Sequence, residues 1–247
     1  MTENRSPSSR KLSRAQTVRE LAERLEQMET ARRGGQGGAV AAAGIPALDG
    51  LLPEGGFRRG TLVEWLAGSA ASGVDGLALL SARGLLRRGT VLVVLDREQT
   101  FYPPAAAAWG VPLPQMIVVR PGNLAEEWWA REQCLQSAGV AVSLCRLKRA
   151  TNRALRRLQL AAERGNGLGF LLRSLSARGQ PAWSDVRLAV SSLASFSPGR
   201  RWRVELVHSR RGAGGKSVIL ELDDATGALS PITELAAPAR VSRAARA

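Results

Sequence analysis

The chain has 247 residues, 45% of them hydrophobic, and a formal net charge of +14 from 35 Lys and Arg against 21 Asp and Glu. That length supports one sizeable core with residues left over for terminal extensions, and no apolar run approaches the roughly 20 residues of a membrane span. The single histidine, His208, excludes histidine-pair catalysis and histidine metal clusters, while the positive balance favours a polyanionic partner, most simply nucleic acid.

Residues 1–10 are polar, lack the apolar segment of a secretory signal, and read as disordered. From Leu12 to Arg33, Val18, Leu21, Leu25 and Met28 recur at three- and four-residue spacing, the stripe of an amphipathic helix. Such a stripe docks on its own domain or on a partner or neighbouring subunit. Gly34-Gly35-Gln36-Gly37-Gly38 is a flexible linker. The expected organisation is an N-terminal extension over 1–38, a core domain over 39–235, and a small basic tail over 236–247.

Within the core domain, the apolar runs Leu62–Leu66, Thr90–Leu95, Met116–Val119, Val140–Leu144 and Leu168–Leu172 have the character of buried strands. Helical stretches lie between them, at Gly76–Leu86, Pro104–Trp109, Leu124–Ser137 and Ala150–Arg164. This alternation predicts a mostly parallel α/β sheet with helices on both faces. The ending differs: Asp185–Ser191, Trp202–His208 and Ser217–Leu222 alternate apolar and polar residues, as strands with one solvated face do. The turn-rich segments Ser197-Pro198-Gly199 and Gly212–Gly215 join them into an antiparallel flank. Cys134 and Cys145 form no metal-spaced or disulfide-like set, which suits a reducing cytoplasm.

Between the first two of those elements runs Gly68-Ser69-Ala70-Ala71-Ser72-Gly73-Val74-Asp75. Gly68 and Gly73 stand at the spacing of a phosphate-binding loop, in strand–loop–helix context. Where that motif needs Lys against the β- and γ-phosphates there is Val74, and where it needs a magnesium-binding hydroxyl there is Asp75. Losing one such electrostatic contact costs roughly 3–4 kcal/mol of transition-state stabilisation. The Asp75 carboxylate beside a phosphate adds repulsion of about 4 kcal/mol at ~4 Å and an effective dielectric near 20, which a directly bound magnesium ion would relieve. The alternative is a small-residue turn ahead of a helix.

Gly44-Ile45-Pro46-Ala47-Leu48-Asp49, then Gly55-Gly56-Phe57-Arg58-Arg59-Gly60, lead into this loop. Together they resemble the opening of RecA-like ATPases, and imply a RecA-like P-loop fold with a twisted sheet. The strand ending at Asp96-Arg97-Glu98 resembles the RecA segment whose glutamate positions the attacking water, and Glu98 holds that place. The other role open to Asp96 and Glu98 is turn and cap before Pro103-Pro104. The strand that should end in a magnesium-binding Asp ends at Cys145-Arg146. The likeness is thus to the RecA architecture without hydrolysis, with no catalytic residue, no metal and no cofactor expected, although weak nucleotide binding stays open.

Within that superfamily the chain resembles the ImuA family over roughly residues 40–225. The likeness includes Gly169–Arg173 and Trp183–Leu188 leading into Trp202–Leu206. The resemblance implies a cytoplasmic, nucleoid-associated adaptor of DNA-damage-induced (SOS) translesion synthesis. Its implied partners are the polymerase-like ImuB, an error-prone DnaE-type polymerase and RecA, with single-stranded DNA as a further candidate. Two alternatives are a divergent ATP-dependent RecA-like recombinase and a cell-division inhibitor resembling SulA.

Arg149, Arg153, Arg156 and Arg157 fall at helical spacing opposite Leu155, Leu158 and Ala161, as a face for DNA, an acidic partner, or water. Arg210, Arg211 and Lys216 lie on the turn between the last two predicted strands. Arg210 roughly matches the basic hairpin residue that in RecA filaments reaches a neighbouring subunit's nucleotide. Gly215-Lys216-Ser217 mimics the tail of a phosphate loop, but Arg210 stands in place of its first glycine. Of the adjacent Trp128 and Trp129, about 100° apart on a helix, one is expected to pack inward and the other to mark a protein-binding patch if exposed.

Overall fold

The computed structural model describes residues 38–69, 72–181, 183–195, 199–223 and 229–232. The predicted helix over 12–33, the centre of the Gly68–Gly73 loop, the Ser197-Pro198 turn and the tail over 236–247 fall outside them. Among the described residues nine strands make one sheet, in the order β11-β10-β9-β8-β3-β7-β6-β4-β5. The parallel part comprises β3 (Thr61–Ala67), β4 (Val91–Leu95), β5 (Met116–Val119), β6 (Val140–Arg146), β7 (Leu168–Ser174) and β8 (Val186–Leu193). Antiparallel strands β9 (Gly199–Ser209), β10 (Ser217–Asp223) and β11 (Leu229–Ile232) extend it. β11 adds an edge strand absent from the sequence-based expectation. A further two-stranded antiparallel pair, β1 (Val40–Ala41) with β2 (Phe57–Arg58), brackets the short helix α1 (Pro46–Leu51). The expected parallel core with an antiparallel flank is the observed fold.

Alternation along each strand divides the interior between two faces. On one, α1, α2 (Val74–Leu85) and α3 (Pro103–Ala108) cover Val63, Trp65, Leu92, Val94, Phe170 and Leu172. There Phe57, Trp65 and Phe170 pack edge-on or tilted, with ring centroids 5.3–6.0 Å apart. On the other, α4 (Leu124–Gln136) and α5 (Asn152–Gly165) bury Leu135, Leu155, Leu158 and Ala162 against Leu62, Leu95, Cys145 and Leu171.

Local sequence sets the helix ends. Asn123 accepts from the Glu126 amide, and Glu126 reaches back to the Gly122 amide, a reciprocal cap for α4. Thr151 caps α5 through the Ala154 amide, moving its start to Asn152, two residues past the expected Ala150. Left-handed Asn166 (φ 56°) closes it. The Gly44–Asp49 motif acquires a physical reason as well: the Asp49 carboxylate accepts from the Ala43 and Gly44 amides (2.7 and 3.1 Å), folding the chain back onto α1.

One strand departs from expectation. β8 alternates in sequence like a half-solvated strand, yet its first five residues are all buried, Arg187 among them. Its partner is Glu64, directly across the parallel β3–β8 register and 0% exposed. Arg173 on β7 and Arg187 on β8 donate to the Glu64 carboxylate at 2.8 Å and 3.0–3.2 Å, and Ser184 Oγ donates at 2.9 Å. The shared Glu64 carboxylate is what lets a strand position that reads as solvated hold a buried arginine. Arg173 and Arg187 also reach Gln180 and the carbonyls of Arg178 and Gln180, tying the segment after β7 to the sheet.

Candidate functional site

The carboxyl ends of β4, β6 and β7 and the amino end of α2 converge at one edge of the parallel sheet, where open α/β sheets place their sites. A cavity of about 960 Å³ opens there, bounded also by α3 and α4. Gly73 is the N-cap residue of α2, left-handed with φ 74°. A Cβ on it would lie 2.0 Å from Trp202 Nε1, and a Cβ on Gly76 would lie 1.5 Å from the Trp109 ring. The two indoles are themselves in tilted contact, centroids 6.4 Å apart, and the Arg200 guanidinium lies over Trp109 at 5.5 Å. Both glycines are therefore required by the tryptophans covering the first turn of the helix. No sequence motif signals this, because Trp109 and Trp202 come from α3's end and β9.

A magnesium–nucleotide at this place needs a cation against the phosphates, a hydroxyl on the metal, and a carboxylate at the end of β6. In those positions stand Val74, buried at 1% exposure, Asp75, and Cys145-Arg146. The Cys145 thiol is pushed up by burial, so it is held as the neutral group rather than as a thiolate ligand. Arg146 Nη2 donates to Asp75 Oδ1 at 2.5 Å, a guanidinium meeting the carboxylate that replaces the metal-binding hydroxyl. Two residues on, past buried Leu147, Lys148 points the same way and contacts Glu98 Oε1 at 2.5 Å. The donor set does not fit a magnesium–nucleotide, since Asp75 and Glu98, the carboxylates nearest the places of the metal-binding hydroxyl and the water-positioning glutamate, are each held by a cation from the end of β6.

Asp96 and Glu98 divide their roles. Asp96, 6% exposed, accepts from the Thr100 and Phe101 amides (2.9 and 3.1 Å) and shapes the turn into α3. Glu98 makes no such cap. Its carboxyl lies below the usual carboxylate range because Lys148 hydrogen-bonds it. With the folded-state value depressed, this pair stabilises fully above the unfolded-state pKa and loses that contribution as pH falls through the folded one. Side-chain NMR titration is expected to place Glu98 below a free glutamate, and Lys148→Ala to move it back up. An unchanged midpoint in the variant would assign the shift elsewhere.

Deeper in the cavity wall, Glu127 joins Arg97 (2.8 Å) to Arg131, which is 3% exposed and stacks over Trp128 at 4.7 Å. Trp128 lines the cavity while Trp129 is 66% exposed, as the helical geometry requires. Of the basic residues singled out in the sequence, Arg149 borders the cavity and Arg153 follows in the first turn of α5, both exposed. Arg156 lies over the Trp183 ring at 5.1 Å and Arg157 pairs with Glu132. Arg210 and Arg211 follow β9, and Arg210 meets Arg156 at Trp183. Arg210 donates to the Trp183 carbonyl (2.7 Å), Arg211 approaches Asp185 at 3.9 Å, and Lys216 is exposed at the end of the same turn. Burial raises the Asp185 carboxyl, opposed by Arg211, Arg210 and Arg58.

No family model matches this chain. It is 32% identical to Protein ImuA of Caulobacter vibrioides strain NA1000 / CB15N, over 71% of this chain and 81% of that protein. A shorter stretch, 39% of the chain, is 35% identical to Protein RecA of Lactobacillus delbrueckii subsp. bulgaricus, covering 29% of RecA. A similar stretch, 42% of the chain, is 29% identical to Protein RecA of Francisella philomiragia. Identity across most of both chains, on a RecA-like sheet, establishes that this protein belongs to the ImuA family, related to RecA.

Proposed function

We propose that the protein is a non-catalytic RecA-like adaptor of DNA-damage-induced translesion synthesis, working in the cytoplasm with a polymerase-like ImuB, a DnaE-type polymerase and RecA. What carries this reading is the pair of contacts Arg146–Asp75 and Lys148–Glu98. One places a fixed protein cation on the carboxylate that stands where an ATPase of this fold has its metal-binding hydroxyl, the other on the carboxylate at the place of the water-positioning glutamate. Both pairs are partly exposed, with side-chain exposures of 45% and 43% for Arg146 and Asp75 and of 71% and 35% for Lys148 and Glu98. Each is therefore worth little to stability, and their consequence is chemical. Position 74 offers no cation to phosphates at the amino end of α2, so the fold serves as a shaped surface rather than a motor.

The expected result in a phosphate-release assay is turnover equal to buffer, with or without single-stranded DNA, and the same null rate for Glu98→Gln. Turnover above buffer that Glu98→Gln abolishes would sink the adaptor reading and favour an ATP-driven recombinase.

A further inference from the structure

We propose that the cavity at the ends of β4 and β6 is a docking pocket for an acidic, aromatic-bearing segment of a partner protein. The inference rests on the reading of this edge as inactive toward nucleotide, and adds what occupies it. At about 960 Å³ the cavity has the size of ligand pockets, about 300–1,000 Å³, and holds several apolar side chains. Its floor is apolar: Leu79, Val94, Leu144 and Leu172 are all buried. Its mouth exposes large apolar groups, Tyr102 at 67% and Leu124 at 57%. These are the features of a hot-spot pocket rather than a solvated cleft.

Charge selects the occupant. The carboxylates inside are already engaged: Asp75, Glu98 and Glu127 with Arg146, Lys148, Arg97 and Arg131, and Asp96 with Arg120 and the Thr100 and Phe101 amides. The interior thus accepts a neutral body. Arg149 at the rim, and Arg153 four residues on in the first turn of α5, are exposed and have no ion-pair partner among the described residues. A ligand with apolar side chains inside and carboxylates outside satisfies both. A nucleotide or a DNA base satisfies neither as well. Its phosphates would approach the Asp75 and Glu98 carboxylates, and the polar edges of a base would meet an apolar floor without hydrogen-bond partners.

The test pans a random peptide library against the full-length protein and against Ala105→Trp. Ala105 is exposed and lines the cavity, so the indole fills the pocket from its rim. A selected peptide is then measured by fluorescence anisotropy against wild type, Ala105→Trp and Arg149→Glu, with circular dichroism confirming the fold. Expected are selected sequences that interleave Asp or Glu with Leu, Phe or Trp, and at least about tenfold weaker binding to each variant. An oligo-dT strand is measured alongside; its binding is expected to survive Ala105→Trp and to fall steeply with salt wherever it occurs. Peptides lacking that signature, affinities unmoved by both variants, or loss of oligo-dT rather than peptide binding in Ala105→Trp would overturn the proposal. ATP turnover in the same samples reports separately on the adaptor reading. A failed pocket with no turnover leaves that reading intact.

Discussion

Glu64→Gln is expected to lower the urea midpoint by an amount corresponding to about 3–5 kcal/mol, the cost of breaking a buried ion pair by removing one partner. The substitution keeps the shape of the side chain and deletes only its charge. Arg173 and Arg187, each 3% exposed at the side chain, then remain buried without the carboxylate they share. Their other acceptors are neutral: the Gln180 amide and the carbonyls of Arg178 and Gln180. A low-dielectric interior makes that loss large. Glu205→Gln is the control. Its pair with Arg178 is exposed, with side-chain exposures of 30% and 47%, and surface pairs contribute about 0–1 kcal/mol. A Glu64→Gln loss no larger than the control's, at unchanged urea slope, would mean that water or relaxation compensates the arginines.

Trp202→Ala is expected to cost about 3–5 kcal/mol, as removal of a fully buried large aromatic does. More diagnostic is its coupling to Gly73. Gly73→Ala in the wild type meets two penalties: a left-handed φ of 74°, worth roughly 1–2 kcal/mol for an L-residue, and a Cβ placed 2.0 Å from the Trp202 indole nitrogen. In the Trp202→Ala background only the first remains. The double-mutant cycle is expected to return a coupling of about 0.5–3 kcal/mol, the range for side chains in direct contact. Additivity within about 0.5 kcal/mol would show that the indole does not press on the start of α2 in solution.

The sheet was legible because buried parallel strands announce themselves as short apolar runs and covering helices as amphipathic stretches between glycines and prolines. Thr90–Leu95 and Met116–Val119 needed no more than that. That Val74 and Asp75 stand where the motif calls for Lys and a hydroxyl is read from the sequence one residue at a time. Arg187 was not legible: its alternation matches that of a solvated strand, and only a neighbour 123 residues away in sequence, Glu64, accounts for its burial. Trp109 and Trp202 gave no signal for the same reason, as their effect is exerted on glycines of another element. The helix face of Arg149 to Arg157 was legible as a face, but its division into Arg156 on Trp183, Arg157 on Glu132, and Arg149 and Arg153 without an ion pair among the described residues was set by what lies opposite.

Local chemistry along the chain therefore determined the class of fold, the direction of the sheet and the basic helix. What the assembled sheet alone decided was pairing. The register that brings Leu95 beside Cys145 carries Arg146 and Lys148 to the carboxylates of Asp75 and Glu98, elements separated by 71 and 50 residues in sequence. Coulomb interaction depends on distance in space and on the dielectric of the surroundings, and neither is encoded in the spacing of residues along a chain.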